Sequence, residues 1–172
     1  MKYLKKMIPL LLAGMLLTGC GPYAKGAEHL ENGEYEQAEE AFTKAIEEGE
    51  NLAESYRGLG IALWEQKEYE ACVNALKAAL ENGGKETPAI DSMIANCAME
   101  LENYPEAVQF YVLGINGEGA SDELLQEMEF NLIAAYEKQG ELELAKEKLA
   151  EYVKKYPDDE KAAKEALFLE TR

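Results

Sequence analysis

The sequence predicts an all-α chain built as a stack of helical hairpins. A block recurs after 34 residues, with Gly26, Tyr35, Ala38, Phe42 and Ala45 answered by Gly60, Tyr69, Cys72, Leu76 and Ala79. Small and aromatic residues echoing at such a period mark a repeat array rather than a closed globule. From about residue 23 onward, apolar residues recur at spacings of three and four and strand-like alternation is absent. Turn and cap residues punctuate this pattern at intervals suited to helices of three or four turns.

Read in order, the helices fall at roughly 23–32 and 35–48, 52–66 and 69–82, 88–101 and 104–115, 122–139 and 142–155, with a last one at about 158–170. Glycine-bearing stops at Gly33, Gly83-Gly84, Gly117 to Gly119 and Gly140 separate them. Asn51 with Glu54 reads as a capping-box start, as does Asn103 with Glu106, where Pro105 is tolerated in the first turn. Thr87 offers a cap followed by the first-turn Pro88. Ser121 precedes Asp122 and Glu123, charges that suit a helix N-terminus. The last helix follows Pro157 with an acidic first turn.

These hairpins resemble tetratricopeptide repeats over nearly all of residues 23–172. The small residue at the helix–helix approach falls on Gly26, Gly60 and Ala95, and on bulky Ile133 in the fourth copy. The residue opening the second helix is Tyr35, Tyr69, Tyr104 and Leu142. Ala38, Cys72, Ala107 and Ala145 follow, then the large Phe42, Leu76, Tyr111 and Leu149, then Ala45, Ala79, Gly114 and Tyr152. The resemblance implies a right-handed solenoid of about four hairpins with a C-terminal capping helix, whose outer face carries Lys161 and Lys164. Small residues let backbones approach and large ones fill the gaps between neighbours.

Residues 1–19 read as a targeting segment. Lys2, Lys5 and Lys6 open it, and Met7 to Leu17 is an apolar run too short for a permanent span. Leu17-Thr18-Gly19-Cys20 resembles a bacterial lipoprotein signal. That resemblance implies cleavage before Cys20, a diacylglycerol on its sulfur, and an exported protein anchored to a bacterial membrane. Residues 20–22 then form a short linker, which places the first repeat near the bilayer.

The formal net charge is −17, and loss of the three leader lysines makes it more negative still. Nucleic acid, which needs a basic footprint, is excluded as a partner. A solvated helical surface accounts for this charge, and a basic protein or peptide partner is its sharper reading. Cys72 and Cys97 read as buried small hydrophobes, with a disulfide compatible with export and left open. His29 is the sole histidine and has no metal-ligand spacing around it. With no nucleophile–base pairing, phosphate loop or metal cluster, the chain is expected not to be an enzyme and to carry no cofactor beyond the lipid on Cys20.

The expected function is therefore a membrane-anchored interaction scaffold or envelope assembly factor. The resemblance puts the first helix of each hairpin on the concave side. There Arg57, Ile61 and Trp64 form a stripe, continued by Ser92, Asn96 and Met99 and by Phe130, Ala134 and Glu137. Partner contacts are expected at Arg57, Ile61, Trp64, Asn96, Met99, Phe130 and Glu137, in a mostly apolar groove suited to a peptide or an amphipathic helix. Burial of Trp64, Met99 and Phe130 between hairpins is the competing reading of the same stripe. A small-ligand or cation-binding surface lipoprotein is the alternative function. Asp158-Asp159-Glu160 lacks the ligand pattern of a calcium loop.

Overall fold

The computed structural model describes residues 21–169. The leader and Cys20 lie outside the described residues. Nine α-helices, and no strand, make up the described chain: α1 Pro22–Glu31, α2 Tyr35–Glu47, α3 Leu52–Glu65, α4 Tyr69–Glu81, α5 Pro88–Glu100, α6 Tyr104–Asn116, α7 Asp122–Gln139, α8 Leu142–Lys155 and α9 Glu160–Leu169. Helices pair as α1–α2, α3–α4, α5–α6 and α7–α8, each pair packs on the next, and α9 closes the stack against α8. The predicted all-α hairpin solenoid is what the chain forms, with helix ends within two residues of those expected.

One turn is built four times. Gly33, Lys67, Glu102 and Gly140 all adopt positive φ between the two helices of their hairpins. The following amides of Glu34, Glu68, Asn103 and Glu141 donate to the carbonyls of His29, Leu63, Ala98 and Tyr136 at 2.8–2.9 Å. This is the Schellman arrangement, which satisfies carbonyls left over at a helix end. Two of the four positions hold a residue with a Cβ, which is strained in the left-handed region. Lys67→Gly and Glu102→Gly are each expected to raise stability by about 0.5–1 kcal/mol, read as a higher urea midpoint; a lower midpoint for both contradicts the strain.

Helix starts divide into two kinds. Thr87 Oγ1 accepts from the Ile90 amide at 3.4 Å and Ser121 Oγ from Leu124 at 3.2 Å, as their sequence context predicts. The two asparagine boxes do not form. Asn51 sits at φ 44 and makes no side-chain cap, because the left-handed backbone turns its amide away, and Glu54 pairs with Arg57 instead. Asn103 also leaves its backbone uncapped; its side chain donates to Glu106 at 2.7 Å, and Glu106 pairs with Lys77 of the preceding hairpin.

The 34-residue echo has a direct spatial meaning. A Cβ built on Gly26 would lie 2.8 Å from the Phe42 ring, and one on Gly60 would lie 2.7 Å from Leu76. The small residue of each first helix thus receives the large residue of its own second helix. Phe42 also serves the next junction: a Cβ on Gly58 would come within 2.3 Å of it. At the third junction the roles reverse, and Gly114 receives Met128. In the fourth hairpin Ile133 stands in place of the small residue, and α7 packs on α8 less extensively than the paired helices of the other hairpins do. Ile133 and Leu149 join Tyr152, Ala162 and Leu169 in a smaller core, separate from the main one, which runs from hairpin one as far as Leu124, Met128, Leu132 and Ala135 of α7.

Candidate functional site

The expected groove residues sit on first helices α3, α5 and α7, and the structure divides them into two groups. Ile61 is a correction. It is fully buried in the main core, one turn after Gly58 on the face that receives Phe42. A first helix inside the stack is covered by its own hairpin partner and by the preceding hairpin, and the stripe read from α3 alone could not register the second. Ser92, its neighbour in the expected stripe, is buried for the same reason.

The others keep some exposure. Trp64 is half-buried against the main core, its ring 5.4 Å from that of Tyr69. Met99 packs half-buried on the same core. Arg57 is held by Glu54 at 2.5 Å, with its side chain mostly covered. Glu137 is half-buried near the end of α7. Asn96 is already engaged: its Oδ1 accepts from the Tyr111 hydroxyl at 2.5 Å and from Asn131 Nδ2 at 3.3 Å. It ties α5 to α6 and α7, so it positions the face rather than offering a free handle. Burial, then the Glu127 charge, push the Tyr111 phenol well above its ordinary range, so it remains a donor.

Phe130 opens a larger feature. A cleft of about 950 Å³ lies between α7, the end of α8 and the start of α9. Its aromatic wall is a ladder, with Phe130 5.5 Å from Tyr152 and Tyr152 4.7 Å from Tyr156 between ring centroids. Such spacings suit tilted rings and give a rigid apolar wall with polar tips. The Tyr152 hydroxyl accepts from Gln126 at 3.1 Å and donates to Asp159 at 2.8 Å. Burial alone would raise the Asp159 carboxyl, but Tyr152 and the amides of Ala162 and Lys161 outweigh it and hold it below its ordinary value. Asp159 thereby caps α9, with Oδ1 accepting from Lys161 and Ala162 at 3.0 and 3.2 Å.

The rest of the lining is acidic. Five carboxylates border the cleft against two lysines, and one of those, Lys155, is bound to Glu129 at 2.7 Å. Burial pushes the Glu127 carboxyl above its ordinary value. Asn131, Tyr152 and Tyr156 were not among the expected site residues. Asn131 lies one turn before Ala134, the residue that repeat spacing aligns with Asn96. Tyr152 did carry a signal, for it breaks the run of small residues Ala45, Ala79 and Gly114.

This architecture is a tetratricopeptide-repeat solenoid, and comparison of sequences agrees. Two tetratricopeptide-repeat family models match residues 29–97 and 128–159, so the chain carries tetratricopeptide repeats. Solved structures share the fold at low identity. The crystal structure of YrrB, described as a tetratricopeptide-repeat protein with an unusual peptide-binding site, superposes with a TM-score of 0.74 at 18% identity, covering 94% of this chain and 81% of that one. The MamA protein gives a TM-score of 0.72 at 15% identity, covering 86% and 78%. No curated protein matches the sequence.

Proposed function

We propose that this chain is an exported, lipid-anchored interaction scaffold that holds a peptide or helix of a basic partner protein against α3, α5 and α7. The cleft beside Phe130 carries the reading. It pairs a rigid aromatic wall with an excess of carboxylates, a combination that suits the stems and charged heads of lysine or arginine side chains. Trp64 and Met99, half-buried on the main core, are the anchors assigned to the earlier hairpins, and half-burial leaves such side chains little entropy to lose on binding. The peptide-binding description of YrrB supports the same class of role.

Trp64→Ala is expected to weaken partner binding by more than about 1 kcal/mol while leaving the helical content intact. Calorimetry with the partner and circular dichroism of the free protein read the two separately. Unchanged affinity in a folded variant contradicts a site at Trp64.

The anchor belongs to the same proposal. The lipoprotein-like stretch ends at Cys20, and α1 starts at Pro22, its first turn capped by Glu50 through a 3.2 Å bond to the Tyr23 amide. A diacylglycerol on Cys20 would hold hairpin one close to the bilayer and leave the later hairpins free to bind. Two acyl chains suffice for stable anchoring. Cys20→Ser should leave the chain uncleaved or release it from membranes, as fractionation and mass spectrometry would detect. A normally processed serine variant that stays in the membrane fraction contradicts the anchor.

A further inference from the structure

The junction between hairpins two and three differs from its neighbours. Helix α4 packs on α5 less extensively than α2 packs on α3 or α6 on α7. The connection between them opens with Asn82-Gly83-Gly84, and Gly83 has φ 87. At this junction stand two cysteines, Cys72 on α4 and Cys97 on α5, both fully buried. Their sulfurs face each other at 3.2 Å across 25 residues of sequence, with Cys97 Sγ as donor. A disulfide needs about 2.05 Å between sulfurs, so closure asks for a shift of only about 1 Å, shared between two helices.

We propose that Cys72 and Cys97 form a disulfide site, closed when the chain folds in an oxidising environment, that staples hairpin two to hairpin three. The oxidant is a disulfide, either of a small thiol or of a protein thiol oxidoreductase. One cysteine thiolate attacks it, forming a mixed disulfide and releasing one thiol. The second cysteine, as thiolate, then displaces the other. The sulfur–sulfur bond of the chain replaces that of the oxidant, the two cysteines give up two protons and two electrons, and the oxidant leaves as two thiols. The hydrogen bond that Cys97 donates to Cys72, and then burial, keep the Cys97 thiol protonated in the folded state. Exchange therefore belongs to the stage before α4 and α5 dock, and the finished bond is shielded from reductants. Linking residues this far apart constrains the unfolded chain at the junction that packing secures least.

The proposal concerns the folding chain and is independent of the partner and of the anchor. Its test uses the full chain with Cys20→Ser, so that two thiols remain, refolded from denaturant in a glutathione redox buffer and then alkylated in denaturant. The expected product resists alkylation, yields a linked Cys72–Cys97 peptide in mass spectrometry, and melts about 5 °C or more above its reduced form. Native chain should resist dithiothreitol far longer than denatured chain. Full alkylation of both thiols after refolding overturns the proposal. A bridge that forms without raising the melting temperature overturns the stapling role. Cys72→Ala, which keeps a small apolar side chain, gives the unbridged baseline.

Discussion

Phe42→Ala is expected to destabilise the fold by about 4 kcal/mol, the upper range for emptying an aromatic site in a packed core. The ring is fully buried and fills two spaces at once, over Gly26 of its own hairpin and over Gly58 of the next. Neither glycine has a side chain to move into the void, so the cavity cannot collapse cheaply. For a helical domain of this size the midpoint of thermal unfolding should fall by about 10 °C. Gly58→Ala tests the same contact from the other side. Its added Cβ would meet the ring, so it should destabilise alone and be partly rescued by Phe42→Leu, a coupling a double-mutant cycle detects. A loss under about 1 kcal/mol for Phe42→Ala would mean the hairpins are not locked here.

Asp91 gives the second large effect. Its carboxyl is buried at the start of α5, against Gly114 and α6, and its Oδ1 has no hydrogen-bond partner. Burial, and then the charge of Glu86, push it from 3.8 to about 7. The folded chain thus keeps a proton that the unfolded chain releases near pH 4. Stability from this group is highest below pH 4 and declines as pH rises towards 7, because the folded state binds more protons across that window. The shift sets an upper bound of about 4 kcal/mol on the loss. Asp91→Asn removes the charge and keeps the shape. The variant should be more stable than the parent at pH 8 by about 2 kcal/mol or more, with the advantage fading near pH 4. An equal difference at both pH values in urea unfolding contradicts a buried, titrating Asp91.

Residues that act within one hairpin were the legible ones. Tyr35, Tyr69 and Tyr104 open second helices where expected, and Gly26 and Gly60 lie under the large residues their spacing assigns. Features set between hairpins were harder to read. Ile61 looks like a groove residue on a helical wheel and becomes core because Phe42, from the preceding hairpin, approaches the same side. Asn51 looks like a cap and fails because its backbone is left-handed. Lys67 and Glu102 have no composition that marks a left-handed turn, yet their alignment with Gly33 and Gly140 identifies it. The aromatic cleft escaped notice because it uses Tyr152, on a second helix, and Tyr156, just past that helix's end, together with the capping helix.

The central claim is that the first-helix face from Trp64 to Phe130 holds the partner. Photo-crosslinking in intact cells tests it most directly, with a photoreactive residue placed in turn at 64, 99 and 130 and, as a control, at Leu113 of α6, which is 41% exposed. Adducts to one and the same protein from 64, 99 and 130, with none from 113, are the expected result. Adducts from 113 alone, with the other three positions silent in a folded and correctly processed chain, would contradict it.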